Sequence, residues 1–314
     1  MQNPSSLYHF ETDGTGAVHQ PGVLLVLLGA FIDAGNIQRT LGSHLLETGE
    51  PQIVASFDVD QLLDYRGRRP MMVFDADRWV SYDDPAILLH RLTDRDGQTY
   101  YVLTGPEPDY QWERFIEALR QVMDVFGITL AVSAHGIPMG VPHTRPVGMT
   151  AHATDPRLIG EAQSPFGRVQ VPGSLPALLE LRLGESGREA LGFAVHVPHY
   201  LAQAEWAEGA LAVLNAVVDH TGLNLPNDDL IAKAGANTRE IASELSDNTE
   251  AAQLVQALEQ QYDTFMEGKE RPSLLATEAS ELPSAEELGA EFEQFLRNNP
   301  EAGPVSPWRP TTAR

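Results

Sequence analysis

Gly22-Val23-Leu24-Leu25-Val26-Leu27-Leu28-Gly29 is an unbroken run of branched aliphatic residues closed at each end by glycine. A strand with one wet face alternates apolar and polar residues. An apolar run of this length between turn formers instead predicts a strand buried on both faces, the pattern of a central strand in an α/β sheet. Immediately beyond it, Asp33 and Asn36 offer caps to a helix through about residue 47. Ile37, Leu41, Leu45 and Leu46 fall at helical spacing there, and Gly49 provides the stop. Strand, loop and helix in this order open a β–α unit.

Working outward, strands are predicted at 52–58 and 71–74, and a strand pair at 87–92 and 100–104 around the turn Asp94-Arg95-Asp96-Gly97. Over 110–126, Trp112, Phe115, Ile116, Leu119, Val122, Met123 and Phe126 recur at steps of three and four, a wide helical stripe that Gly127 ends. The apolar run 128–133 is the next strand, so 100–133 reads as a right-handed parallel crossover. Another strand is expected at 147–153. Ser174 caps a helix with Pro176 in its first turn, ending near Gly184, and 190–197 returns as a strand. Helices follow at 205–221, 228–245 and 249–267. The resulting division is an N-terminal extension over 1–20, an α/β core over 21–203, a helical subdomain packed on it over 204–268 and an acidic, proline-rich tail over 269–314. The tail is expected to be partly disordered, with one short helix at 284–297 opened by the capping box of Ser284 and Glu287.

Composition removes several classes of function. The 314 residues hold 21 Lys and Arg against 44 Asp and Glu, a formal net charge of −23. Such an envelope repels phosphate backbones and anionic lipid, so neither nucleic acid nor membrane is an expected partner. The absence of cysteine excludes disulfides, thiolate zinc sites, iron–sulfur clusters and thiol nucleophiles. The first 22 residues lack the basic and apolar regions of a signal peptide, and no apolar run spans a bilayer; a soluble cytoplasmic protein is expected.

Three segments carry residues capable of chemistry. Gly29, Asp33 and Asn36 lie between the first strand and its helix, where α/β sheets place ligand contacts, although neither a dinucleotide fingerprint nor a phosphate loop is present. Capping alone also explains Asp33. The second segment, 133–146, contains His135, His143 and Arg145 on what reads as a loop stiffened by Pro138, Pro142 and Pro146. There an imidazole serves as a base or the guanidinium pairs an anion, or the loop is a subunit contact. Ser133 sits in no G-x-S-x-G elbow, and no Ser–His–Asp order is legible. His196 and His199 form the third group, with Pro198 between them and Glu205 nearby, a spacing that favours packing over a metal. No metal and no cofactor is expected.

GAFIDAGN at 29–36, LTGPEPDYQW at 103–112, GIPMGVPHTRP at 136–146 and VHVPHYLAQAEW at 195–206, in this order and spacing, resemble the proteasome assembly chaperone 2 family in its long actinobacterial branch. The resemblance covers about residues 20–268. It implies a three-layer α/β/α fold with a mixed, largely parallel sheet related to purine nucleoside phosphorylases and peptidyl hydrolases, with C-terminal helical additions. It also implies a homo-oligomer, a trimer being favoured, that acts as an assembly chaperone on proteasome subunits or another complex without established catalysis. Archaeal relatives dock through a hydrophobic–tyrosine–any-residue ending, which the final Pro310-Thr311-Thr312-Ala313-Arg314 does not match. The alternative is an enzyme on the phosphorylase and hydrolase scaffold, acting on a small molecule in a pocket between the 29–36 and 135–146 segments. Expected subunit contacts are the proline loops and an apolar helical surface near 211–218.

Overall fold

The computed structural model describes residues 3–11, 21–29, 32–160, 167–246 and 248–267. Among them, 3–64 with 85–267 form one compact unit, while 65–84 belong to a second. The tail and the helix expected at 284–297 lie outside the described residues.

In chain order the strands are β1 (Tyr8–Phe10), β2 (Gly22–Gly29), β3 (Gln52–Phe57), β4 (Met72–Asp75), β5 (Arg78–Tyr82), β6 (Ile87–Thr93), β7 (Thr99–Pro106), β8 (Ile128–Met139), β9 (Met149–Ala153) and β10 (Glu189–Pro198). The helices are α1 (Ile37–Thr48), α2 (Trp112–Phe126), α3 (Leu175–Glu185), α4 (Ala207–Thr221), α5 (Asp228–Ser246) and α6 (Thr249–Met266). Eight strands form one sheet in the order β1-β3-β6-β7-β2-β8-β10-β9. Its centre, β7-β2-β8-β10, is parallel; β6 and β9 run against it on either side.

β2 is buried over both faces, as its composition requires. Val23, Leu25 and Leu27 pack with α1 and α4, whereas Leu24, Val26 and Leu28 pack with α2 and α3. Each fully buried aliphatic side chain is worth about 1.5–3 kcal/mol relative to exposure, so this one strand anchors both helical layers. The α2 stripe meets the second layer through Phe115, Ile116, Leu119, Val122, Met123 and Phe126. Gly127, at φ 64°, closes the helix in the left-handed conformation glycine tolerates.

Four features depart from the sequence reading. Residues 4–10 of the expected extension form a 3₁₀ turn and β1, an edge strand antiparallel to β3, with Leu7 buried in the core. The strand expected at 71–74 is β4, but it pairs with β5 in a separate hairpin. That hairpin escapes prediction because its turn, with Ala76 at φ 52°, lacks the Asn-Gly or Asp-Gly signature. β8 continues to Met139, so His135 is a strand residue and not part of a loop. Beyond Ser133, β8 is paired with β10 alone, a one-sided pairing that tolerates Pro138. Finally, the 211–218 surface turns largely inward: Val213, Leu214 and Val217 are core, and Leu211 and Val218 pack against it.

Leu25→Ala, at the centre of β2, is expected to lower stability by about 2–5 kcal/mol in urea denaturation. Val80→Ser on the exposed hairpin should change it by under about 0.5 kcal/mol.

Candidate functional site

The C-terminal ends of β7, β2, β8 and β10 share one edge of the sheet. From β2 the chain enters the α1 layer and from β7 the α2 layer, so the strand order reverses between them, the position where open α/β sheets bind ligands. The Glu107 N–H donates to the Gly29 carbonyl at 3.1 Å across this point. The buried Glu107 carboxylate accepts the Leu175 N–H at 2.5 Å and is thereby committed to the start of α3.

Main-chain and side-chain hydrogen bonds lace the three sequence-flagged segments together at this edge. The Gly35 N–H donates to Ala202 O and the Trp206 N–H to Gly35 O, both at 2.9 Å, and Asn36 Nδ2 donates to Ala204 O at 3.2 Å. Asp33 joins the same assembly. Its Oδ2 accepts the Gln38 N–H at 3.0 Å inside α1, and its Oδ1 accepts the Gly136 N–H at 3.2 Å on β8. Position 136 must be glycine, because a Cβ there would stand 1.9 Å from the Ala34 carbonyl oxygen. Burial outweighs the backbone hydrogen bonds and pushes the Asp33 carboxyl up to about 6.

The histidines separate into two groups. His196 is buried on β10, 2.8 Å from Thr150 Oγ1, while His135 lies on the same side of β8; desolvation brings each down to about 4, so both are neutral at pH 7. His143 instead sits with Tyr200. Its N–H donates to the Tyr200 hydroxyl at 2.9 Å and its Nδ1 lies 2.7 Å from that oxygen, with burial lowering the imidazole and raising the phenol to about 12. His199 is exposed and rests edge-on against Tyr200.

Arg145 is committed elsewhere. Its guanidinium grips Asp263 at 2.8 and 2.6 Å and reaches Glu259 at 3.2 Å, clamping the segment after β8 to α6. Thr144 adds a bond to Glu259. Glu205, considered as a carboxylate near the His196 pair, accepts from Thr40 at 2.9 Å and pairs with Lys233. Among the described residues no group of three or more His, Asp or Glu is placed to hold a metal.

One cluster is invisible to spacing in the sequence. Ser133 on β8 and His152 on β9 both pair with Gly192 of the intervening β10, so all three share the α3-facing side of the sheet. A Cβ on Gly192 would lie 2.7 Å from His152 Nε2 and 2.8 Å from Ser133 Oγ; only glycine leaves that gap open. Glu180 of α3 holds His152 Nδ1 at 2.8 and 3.0 Å. Strand register brings Ser133, Gly192 and His152 together, and the packing of α3 on the sheet adds Glu180.

A three-layer α/β/α domain with a parallel centre, a laced C-terminal edge and added helices is the class of protein that the sequence resembles. The PAC2 family model matches residues 27–245, and the chain belongs to that family. The Mycobacterium tuberculosis protein of unknown function Rv2714 is similar at 40% identity, with 84% of this chain and 91% of that chain covered and a TM-score of 0.79. A Corynebacterium glutamicum protein of unknown function is 34% identical, covering 84% and 99%, with a TM-score of 0.77. The Mycobacterium tuberculosis proteasome-assembly chaperone homologue Rv2125 shares the fold at 23% identity, covering 74% and 99%, with a TM-score of 0.66. No curated protein matches the sequence. No helix among the described residues is long and apolar enough to cross a membrane.

Raising the Asp33 carboxyl from its ordinary value of 3.8 to about 6 means that the native state binds the proton more tightly than the unfolded chain. Its contribution therefore weakens folding as pH rises from about 4 to 6, with a limiting slope of about 1.4 kcal/mol per pH unit. Asp33→Asn should remove that component, which urea denaturation series at pH 4, 5 and 6 will show as a wild-type-minus-variant difference in slope. Parallel curves would contradict it.

Proposed function

We propose that this PAC2 protein is an assembly-chaperone-like factor that binds subunits of a protein complex, proteasome subunits foremost, and does so as a homo-oligomer, most simply a trimer. The observation that carries this reading is the β4–β5 hairpin. Met71, Met72, Val73, Phe74, Trp79, Val80 and Tyr82 are each 45–62% exposed there. Phe74 and Trp79 stack edge to face at 5.1 Å and form its most prominent apolar feature. Isolated two-stranded hairpins are marginally stable in water, and contiguous exposed apolar surface of this kind marks protein-binding sites. Aromatic anchors dominate the energetics of such contacts.

Family membership supports the same reading, since the Mycobacterium tuberculosis relative that shares the fold is described as a proteasome-assembly chaperone homologue. The acidic envelope favours protein partners over nucleic acid or anionic membrane. A cytoplasmic location fits this role.

Co-expression with the α and β proteasome subunits of the same organism, followed by size-exclusion chromatography, tests the proposal. The wild-type chain should co-elute with a subunit or an assembly intermediate. Phe74→Ser combined with Trp79→Ser should reduce that complex at least tenfold while leaving the melting temperature nearly unchanged. Light scattering should give three times the chain mass. Complex formation that is indifferent to the double substitution would remove the hairpin from the mechanism.

A further inference from the structure

The cluster around Gly192 is used neither by the laced edge nor by the hairpin. Ser133 Oγ and His152 Nε2 make no hydrogen bond among the described residues, and each lies within 2.8 Å of the point where a Gly192 side chain would begin. The Glu180 carboxylate, 2.8 Å from His152 Nδ1, selects the tautomer with the proton on Nδ1 and leaves Nε2 as an acceptor at the same Gly192 gap that the serine borders. Nucleophile, base and orienting carboxylate in this relation define the general arrangement for activating a hydroxyl, and such contacts are commonly loose before substrate binds. The serine is partly solvent-accessible, and the His152 side chain is 38% exposed, so an incoming molecule can reach both.

His135 completes the set. It stands two residues from Ser133 on the same face of β8, and its ring also has no hydrogen-bond partner among the described residues. Burial keeps it neutral, so it carries one N–H free to donate to an oxygen that gains negative charge.

We propose that Ser133, His152 and Glu180 form an acyl-transfer site for small, uncharged carboxylic esters, with His135 donating to the developing oxyanion. Ser133 Oγ attacks the ester carbonyl carbon while its proton passes to His152 Nε2. The tetrahedral intermediate expels the alkoxide, which leaves as the alcohol with that proton. Water then adds to the acyl-serine, giving its proton to His152; the acid leaves and Ser133 Oγ recovers a proton. Substrate and water are the only reactants. Glu180 is a positioning residue. A single neutral donor suits an ester, with its good leaving group, better than an amide.

The full chain is treated with a fluorophosphonate probe and, separately, with 4-nitrophenyl acetate. The expected result is one covalent phosphonyl adduct mapped by peptide mass spectrometry to Ser133 and abolished by Ser133→Ala. His152→Ala should slow labelling about 100-fold or more. Glu180→Gln should lower kcat on 4-nitrophenyl acetate at least tenfold with KM within twofold, while the active fraction, titrated by the end-point of fluorophosphonate labelling, stays at the wild-type level, which mere loss of folded protein would not leave unchanged. Phe74→Ser with Trp79→Ser should label at the wild-type rate, which separates this activity from the binding role. Absence of a wild-type adduct, an adduct on another residue, or undiminished labelling of Ser133→Ala or of folded His152→Ala overturns the proposal. Mapping the wild-type adduct requires no variant to fold.

Discussion

Burial of β2 on both faces is the constraint from which the rest of the molecule follows. Six successive aliphatic side chains have no solvent-facing alternative, so each face must be covered. Covering one face with α1 and α4 and the other with α2 and α3 forces the chain to leave β2 and β7 in opposite directions. That divergence creates the switch point at Gly29 and Glu107. The functional geometry at the sheet edge is thus a consequence of hydrophobic burial many residues before any polar group acts.

Two glycines on the parallel strands then determine what the polar groups can do. At Gly136 the missing side chain lets the Ala34 carbonyl approach β8 closely, and the same residue's N–H holds Asp33. This rigidly fixes the 29–36 segment, but it places a carboxylate where desolvation works against its charge. At Gly192 the missing side chain does the reverse, leaving space between two side chains on adjacent strands. One glycine closes a gap to build the scaffold and the other keeps a gap open.

The central architecture was legible because it rests on local signals. The β2 run, the α2 stripe and the turn at residues 94–97 predict elements that the structure contains at nearly the same boundaries. Whether the 29–36, 136–146 and 195–206 segments meet was not legible, because strand order is a tertiary property, and neither was the partner of each side chain. Arg145 reads as an anion ligand until Asp263, more than a hundred residues away, takes its fork. His143 reads as a pocket residue until Tyr200 claims it. The Ser133–His152–Glu180 set lacks a local pattern because antiparallel β9 returns through register with β10, and register is a tertiary property.

The neutrality of the buried imidazoles links stability to recognition. His90, His135 and His196 each fall from 6.5 to about 4, so the unfolded chain binds their protons more tightly than the native one. Their contribution to folding is present above about 6.5 and is lost as pH falls toward 4, opposite in sign to that of Asp33. Asp33 and Glu208, both raised by burial, act in the opposite direction as pH falls. At neutral pH the same desolvation leaves His135 and His196 as hydrogen-bonding groups without charge, inside a chain carrying a formal charge of −23. Screening confines the repulsion of that envelope to roughly 8–10 Å from the surface, and it acts against any anion approaching the sheet face. Neither His135 nor His196 carries charge at neutral pH to offset it, which is the electrostatic ground for proposing an uncharged ester at that face.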